Sequence, residues 1–334
     1  MTSDLSGSPW ARLSRRSVLA AGLIGASAAL GACSGPVQPA KTPSRERSWG
    51  AFIPVIAARG GAGQTPVTRL SSLAGAQADY LHVYASLRDY LPVETLDTIR
   101  QNGATPMLTL EPWRPGIGPD QPEYSLASIV EGRHDTDLAR WADQLGSWGQ
   151  AILVRFAQEM NGTWYPWSIG VNQNTAGQYR AAWSHMHAIV HEKARNVRFV
   201  WAPNAVTEGT SDFVGCYPES GTVDYLGVDG YNWGSSPGHS WQSAEKLFAR
   251  SISTLERLDA RLPILITEVG CADGDTPERK AKWIEDFFAV MESSQRVEGF
   301  LWFQTDKERD WRFNSTVDSA EAFRGSLRGW LGGA

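Results

Sequence analysis

Eight short apolar runs recur along the chain, at Trp49–Val55, Tyr80–Leu87, Pro106–Leu110, Ala151–Ala157, Val197–Ala202, Val223–Tyr231, Pro263–Val269 and Val297–Phe303. Their length and their β-branched and aromatic content predict strands. Between most of them lie amphipathic stretches of helical length, clearest at Asp137–Trp148, Ala176–Ala194, Ala244–Ala260 and Pro277–Met291. In the last of these Pro277 suits the first turn and Thr276 the N-cap. The crossover Thr207–Glu219 is short and the least helical. Eight alternating strand–helix units predict an α/β fold, a (β/α)8 TIM barrel, in a single catalytic domain over residues 49–334. A doubly wound sheet would more often carry a glycine-rich phosphate loop after its first strand. Gly60-Gly61-Ala62-Gly63 lacks the G-x-G-x-x-G spacing and reads as a flexible loop.

The first 48 residues do not share this pattern. Ser14-Arg15-Arg16-Ser17-Val18-Leu19 is a twin-arginine pattern, and the uncharged run Val18–Ala32 that follows is short for a membrane span. It ends in Leu30-Gly31-Ala32-Cys33, which resembles a bacterial lipobox. Residues 1–33 are therefore read as a lipoprotein signal with Cys33 as the acylated residue, and residues 34–48, rich in Pro and charge, as a flexible linker. That predicts export by the twin-arginine route and a lipid anchor facing outward, or secretion if Cys33 is not lipidated. An ordinary cleaved signal with an incidental cysteine is the plainer alternative.

The formal charge is −5 over 334 residues, and residues 1–48 hold six basic against two acidic side chains, leaving −9 on the body. An acidic body argues against nucleic acid as partner, and a neutral saccharide polymer fits better. A monomer is expected. Cys216 and Cys271 are the cysteines beyond Cys33, and their places in a barrel, at opposite ends, argue against a bridge. His185, His187 and His191 lie together, yet only 187 and 191 share a helix face, with no H-E-x-x-H arrangement; no metal and no cofactor are expected.

Candidate chemistry sits at two strand ends, Gln158-Glu159-Met160-Asn161-Gly162-Thr163-Trp164 and Ile266-Thr267-Glu268-Val269-Gly270. Barrel catalytic residues cluster at the C-terminal ends of strands. Period-two alternation would put Arg155, Ala157 and Glu159 on one face and Ile264, Ile266 and Glu268 on one face, so that two glutamates converge across the mouth. A glycosidase needs such a pair, one carboxyl protonated and one ionised. Arg155, if it points inward, needs a partner, and Asp229 is the natural one. Trp113, Trp164, Trp167, Trp233 and Trp302 all fall at or after strand ends and are read as cleft-lining. Trp141, Trp148, Trp183 and Trp283 lie within helices and are read as core.

The run Arg155–Trp164, with Trp201-Ala202-Pro203-Asn204, Val228-Asp229-Gly230-Tyr231-Asn232 and Thr267-Glu268-Val269-Gly270, resembles glycoside hydrolase family 26, which contains mainly endo-β-mannanases with some β-glucanases and β-xylanases. The likeness spans about residues 49–310. It implies a retaining double-displacement enzyme acting on a β-linked mannan or glucan, with Glu159 as acid/base and Glu268 as nucleophile. It also implies Trp164 lining the sugar subsite beside the acid, a hydrogen bond from Tyr231 to the nucleophile, and Trp302 as a platform beneath the −1 sugar; Gln158, Asn161, Trp113 and Asn204 are further candidate substrate contacts. Family members usually carry His where this chain has Gln158. That amide is expected at a sugar 2-hydroxyl, the group in which mannose and glucose differ. The rival readings are a weakly catalytic carbohydrate-binding lipoprotein and a polysaccharide-remodelling transglycosylase.

Overall fold

Parallel strands need a crossover between each pair, whose helices cover the outer face, and closing the sheet on itself leaves no unpaired edge. The computed structural model describes residues 47–56, 64–207 and 210–332. Cys33, the signal over residues 1–33, nearly all of the 34–48 linker and the Gly60–Gly63 loop lie outside the described residues; Ser48, read as the end of the linker, opens the first strand.

The eight strands are β1 (Ser48–Phe52), β2 (Tyr80–Ser86), β3 (Thr105–Glu111), β4 (Ile152–Phe156), β5 (Val197–Trp201), β6 (Tyr225–Asn232), β7 (Ile264–Cys271) and β8 (Val297–Phe303). Each pairs in parallel with the next and β8 closes on β1. The helices are α1 (Pro66–Ala74), α2 (Val93–Gln101), α3 (Leu126–Val130), α4 (Asp135–Trp148), α5 (Ala176–Lys193), α6 (Ala244–Leu258), α7 (Pro277–Glu292) and α8 (Val317–Trp330). Among its described residues the crossover from β5 to β6 carries only a 3-10 turn at Val214–Cys216, in keeping with its weak helical pattern. Where helices form, local signals start them: Thr175 and Gln178 form a reciprocal capping box on α5, and Thr65 caps α1 ahead of Pro66.

Outward strand residues meet the helices in one continuous apolar layer, which includes Trp141, Trp183 and Trp283; Trp148 is partly buried beside it. Trp302 belongs to this layer, not to the cleft. It is fully buried, packs edge-on against Phe287 of α7 and Phe323 of α8, and donates its indole N–H to the Trp311 carbonyl at 2.8 Å. The alternating pleat explains the correction, since the inward residue at that level is its neighbour Phe303, stacked on Phe52 at 4.7 Å and edge-on to Tyr231. Trp167, expected in the cleft, is also buried and stacks on Tyr165 at 4.3 Å. Cys216 and Cys271 are both buried and free. His185 pairs with Asp135, while His187 stacks on His191.

The placement of Trp302 predicts a stability phenotype. Trp302→Ala should cost about 3–5 kcal/mol of unfolding free energy, read by denaturant unfolding, while Trp302→Phe should keep sugar affinity at the parent's level. A folded Trp302→Phe that has lost sugar affinity would return Trp302 to the cleft.

Candidate active site

The inner wall of the barrel holds a charge where apolar packing would otherwise be the rule. Arg155 on β4 is fully buried. Its Nε donates to Thr109 at 2.7 Å, one terminal nitrogen to Asp229 at 2.5 Å, and the other to Glu268. A buried guanidinium is tolerable only when its donors are met by anions or dipoles in its own plane. The expected Arg155–Asp229 pair is present, with Glu268 as a second carboxyl partner. His82 sits beside it, 2.6 Å from the Thr109 hydroxyl, and both burial and the Arg155 charge push its imidazole well below the ordinary range, so it stays neutral.

Glu268 reaches the inner face by a break in the alternation. Thr267 donates to Asp229 at 2.5 Å, so it too lies inside, and the pairing of β6 with β7 steps from Val228↔Ile266 to Asp229↔Glu268. That bulge turns two consecutive residues inward. Ile264 and Ile266 pack instead in the helix-facing core, contrary to the expected alternation. Gly227 makes room for the bulge, because a Cβ there would stand 2.9 Å from the Thr267 hydroxyl. Tyr231 donates its phenol to the other Glu268 oxygen. The anion therefore accepts from Arg155 on one oxygen and from Tyr231 on the other.

Glu159 is delivered differently. β4 ends at Phe156, and Ala157 and Glu159 adopt φ of 46° and 53°, so a left-handed kink and not a continuing pleat brings the carboxyl into the mouth. The kink is held on every side. The Ala157 carbonyl accepts from Tyr179, the Gln158 carbonyl from Trp167, and Glu159 N–H donates to the Ala202 carbonyl at 2.8 Å. Asn204 then donates to one Glu159 oxygen at 2.5 Å, and Trp164 to the other at 2.8 Å. Gly162 is required here, since any Cβ would fall 2.5 Å from the Trp164 ring. Burial raises the Glu159 carboxyl to about 7, with the Glu268 charge next in importance and the Trp164 and Asn204 hydrogen bonds opposing.

Three expected substrate contacts are reassigned by this geometry. Asn161 is buried, with its amide spent on the Asn204 and Ser211 carbonyls and on Asn204 N–H, so it splints the loop that carries Asn204. Gln158 is 1% exposed and gives its amide N–H to Glu111 at 2.8 Å, leaving its oxygen sealed in the interior. Trp302 has been placed above. Trp164 is 39% exposed, and Trp113, Tyr231 and Asn204 are partly exposed at the mouth. Glu111 was missed in the sequence, although it too ends an apolar run. It is 7% exposed, beside 7% for Glu159 and 8% for Glu268, and it accepts from Trp113 at 3.1 Å as well as from Gln158. Among the described residues no cluster of three His, Cys, Asp or Glu side chains is disposed to hold a metal ion.

Residues 83–258 match the family described as glycosyl hydrolase family 26. The chain is 33% identical over 274 residues to Endoglucanase H of Acetivibrio thermocellus, covering 79% of this chain and 29% of that protein. It is 32% identical over 113 residues to mannan endo-1,4-beta-mannosidase A and B of Caldalkalibacillus mannanilyticus, covering 31% of this chain and 21% of that one. The chain thus spans less than a third of the length of these relatives. In fold it is similar to a beta-mannanase of Bacteroides ovatus, with a TM-score of 0.62 at 17% identity and coverage of 86% and 90%. It is likewise similar to the catalytic domain of an endo-beta-1,4-mannanase from Bacillus sp. JAMB-750, with a TM-score of 0.64 at 15% identity and coverage of 87% and 88%.

The electrostatics of the two carboxyls can be checked directly. Removing the Glu268 charge as Glu268→Gln should lower the Glu159 midpoint from about 7 without returning it to the ordinary carboxylate range, because burial remains. Carboxyl carbon titration by NMR reads this. A midpoint that does not move would mean that the two groups do not feel each other.

Proposed function

The chain belongs to glycosyl hydrolase family 26, and from that premise we propose that it is a retaining endo-β-glycosidase cleaving a β-linked mannan or β-glucan. The observation that carries the reading is the opposite treatment of two buried carboxyls at one mouth. Glu159 is pushed up to about 7, whereas Glu268 is met by a cation and a phenol.

In the first step a Glu268 oxygen attacks the anomeric carbon, the bond to the leaving oxygen breaks, and that oxygen takes the proton held by Glu159. Forming the glycosyl ester removes the Glu268 charge, and with it the repulsion that helped keep Glu159 protonated. The ionised Glu159 then takes a proton from water as the water oxygen attacks the same carbon and Glu268 leaves. Tyr231 and Arg155 hold the Glu268 oxygens during both displacements, and Trp164 and Asn204 orient Glu159. The exposed face of Trp164 and the partly exposed Trp113 and Trp233 supply apolar surface for sugar C–H faces. Relatives named as endoglucanase and as mannan endo-mannosidase support the two substrate classes. For location, Arg15-Arg16 and Leu30-Gly31-Ala32-Cys33 support export and a diacylglycerol anchor on Cys33.

Glu268→Ala should abolish turnover on cellulose, mixed-linkage glucan and β-mannan alike. Glu159→Ala should lose far less on aryl glycosides whose leaving group needs no proton, and equal loss on both kinds of substrate would remove Glu159 from the acid role. Because the acid must be protonated, kcat/KM should fall as pH rises through about 7, and in Glu159→Gln this alkaline limb should vanish. For the anchor, mass spectrometry of the mature protein from membranes should find acylated Cys33; a chain beginning at Ser34 or later and wholly soluble contradicts it.

A further inference from the structure

Three glutamates, not two, open on the mouth. Glu111 closes β3 one strand away from Arg155, with the same sliver of exposure as the other two carboxyls. The Tyr165 phenol reports their common surroundings, raised first by burial and then by Glu159, Glu111 and Glu268 in turn. The mechanism above uses two of them and leaves the third without a task.

Its hydrogen bonds suggest one. Gln158 Nε2 donates to one Glu111 oxygen at 2.8 Å, and Trp113 Nε1 to the other at 3.1 Å. Burial pushes the Glu111 carboxyl up, and these two donors oppose the push and favour the anion. A carboxylate offers about four acceptor positions, so two donors leave room for about two more. By contrast Gln158 has no such room: its nitrogen is committed to Glu111 and its oxygen is buried without a partner. Glu111 also aims the Trp113 indole, fixing an apolar face and an acceptor in one rigid unit.

We infer that Glu111 is a specificity-determining residue that accepts hydrogen bonds from substrate sugar hydroxyls, and that Gln158 is the positioning residue that orients it. The inference rests on the glycosidase reading for its ligand, a β-linked pyranose oligosaccharide. A carboxylate only accepts, so this place in the cleft demands hydroxyl protons in a set direction. Axial and equatorial hydroxyls point their protons differently, and the pair Glu111–Trp113 therefore discriminates between sugars of different configuration. An amide in place of the carboxylate would present a donor as well and relax the choice.

Binding can be read without turnover by calorimetry on the Glu268→Ala protein, with cellotetraose and mannotetraose as probes and with their 2-, 3- and 6-deoxy analogues. Adding Glu111→Leu should weaken the better-bound tetraose by roughly tenfold or more, and Glu111→Gln, which keeps the shape, should narrow the ratio between the two sugars. At least one deoxy analogue should bind weakly to the Glu268→Ala protein and lose no further affinity on Glu111→Leu. Gln158→Met should weaken binding less than Glu111→Leu does. Unchanged affinity in both Glu111 variants, or equal losses for the intact sugar and every deoxy analogue, would overturn the inference. So would a larger loss from Gln158→Met. Because no turnover is measured, failure here leaves hydrolysis by Glu159 and Glu268 standing, and failure of those roles leaves this binding result standing.

Discussion

One buried cation sets the terms for everything around it. Arg155 has no exposure and must be neutralised where it stands. It pairs with two carboxyls, Asp229 and Glu268, and burial holds the Asp229 carboxyl well above the ordinary range despite the Arg155 charge beside it. A further carboxyl placed nearby cannot easily ionise, and Glu159 is that carboxyl. Its raised midpoint follows first from its own burial and then from the Glu268 charge, with Arg155 opposing both. His82 adds no charge here, since burial first and the Arg155 guanidinium second keep it neutral.

The side chains that support this centre tie separate loops to one another. Asn161 binds the segment around Asn204, Asn204 binds Glu159, and Trp167 holds the Gln158 carbonyl from below. Lys280, whose side chain is fully buried, ties Asp273, the Asp310 carbonyl and Ser315 together, which joins the loops following β7 and β8. Trp311, next to Asp310, packs edge-on against Tyr231 at 5.0 Å. The hydroxyl that meets Glu268 is therefore braced by packing that begins on α7. Such loops make the site rigid without lengthening the strands.

Much of this was legible from residue order. Strands buried on both faces read as near-continuous apolar runs, and all eight were located to within a few residues. Glu159 and Glu268 were legible because each ends such a run, and Arg155 because a buried cation demands an anion, which Asp229 supplies. What failed was the assumption of a regular pleat. Ile264 and Ile266 were placed inside, but a bulge at Thr267 reverses the count; Glu159 arrives by a kink at Ala157; Trp302 is one residue away from the inward position that Phe303 holds. Bulges and kinks gather where a side chain must be re-aimed, so the pattern was least reliable at the residues of most interest. Glu111 had the same signal as its two partners, a carboxylate closing an apolar run. It lacked only a familiar motif around it.

The left-handed backbone at Ala157 and Glu159 has a thermodynamic consequence. Each such residue without the freedom of glycine costs about 1–3 kcal/mol, against a total stability of about 5–15 kcal/mol for an ordinary domain. The strain falls on the segment that also bears a buried carboxyl repelled by its neighbour. On the proposed roles, foldedness and turnover pull in opposite directions at residue 159, since the residues that fit this backbone best, glycine or asparagine, cannot serve as an acid. Selection for robustness alone would erase the site from within while leaving the barrel intact. A glutamate held in that conformation is, on the proposed roles, strain that the barrel bears for the sake of the acid.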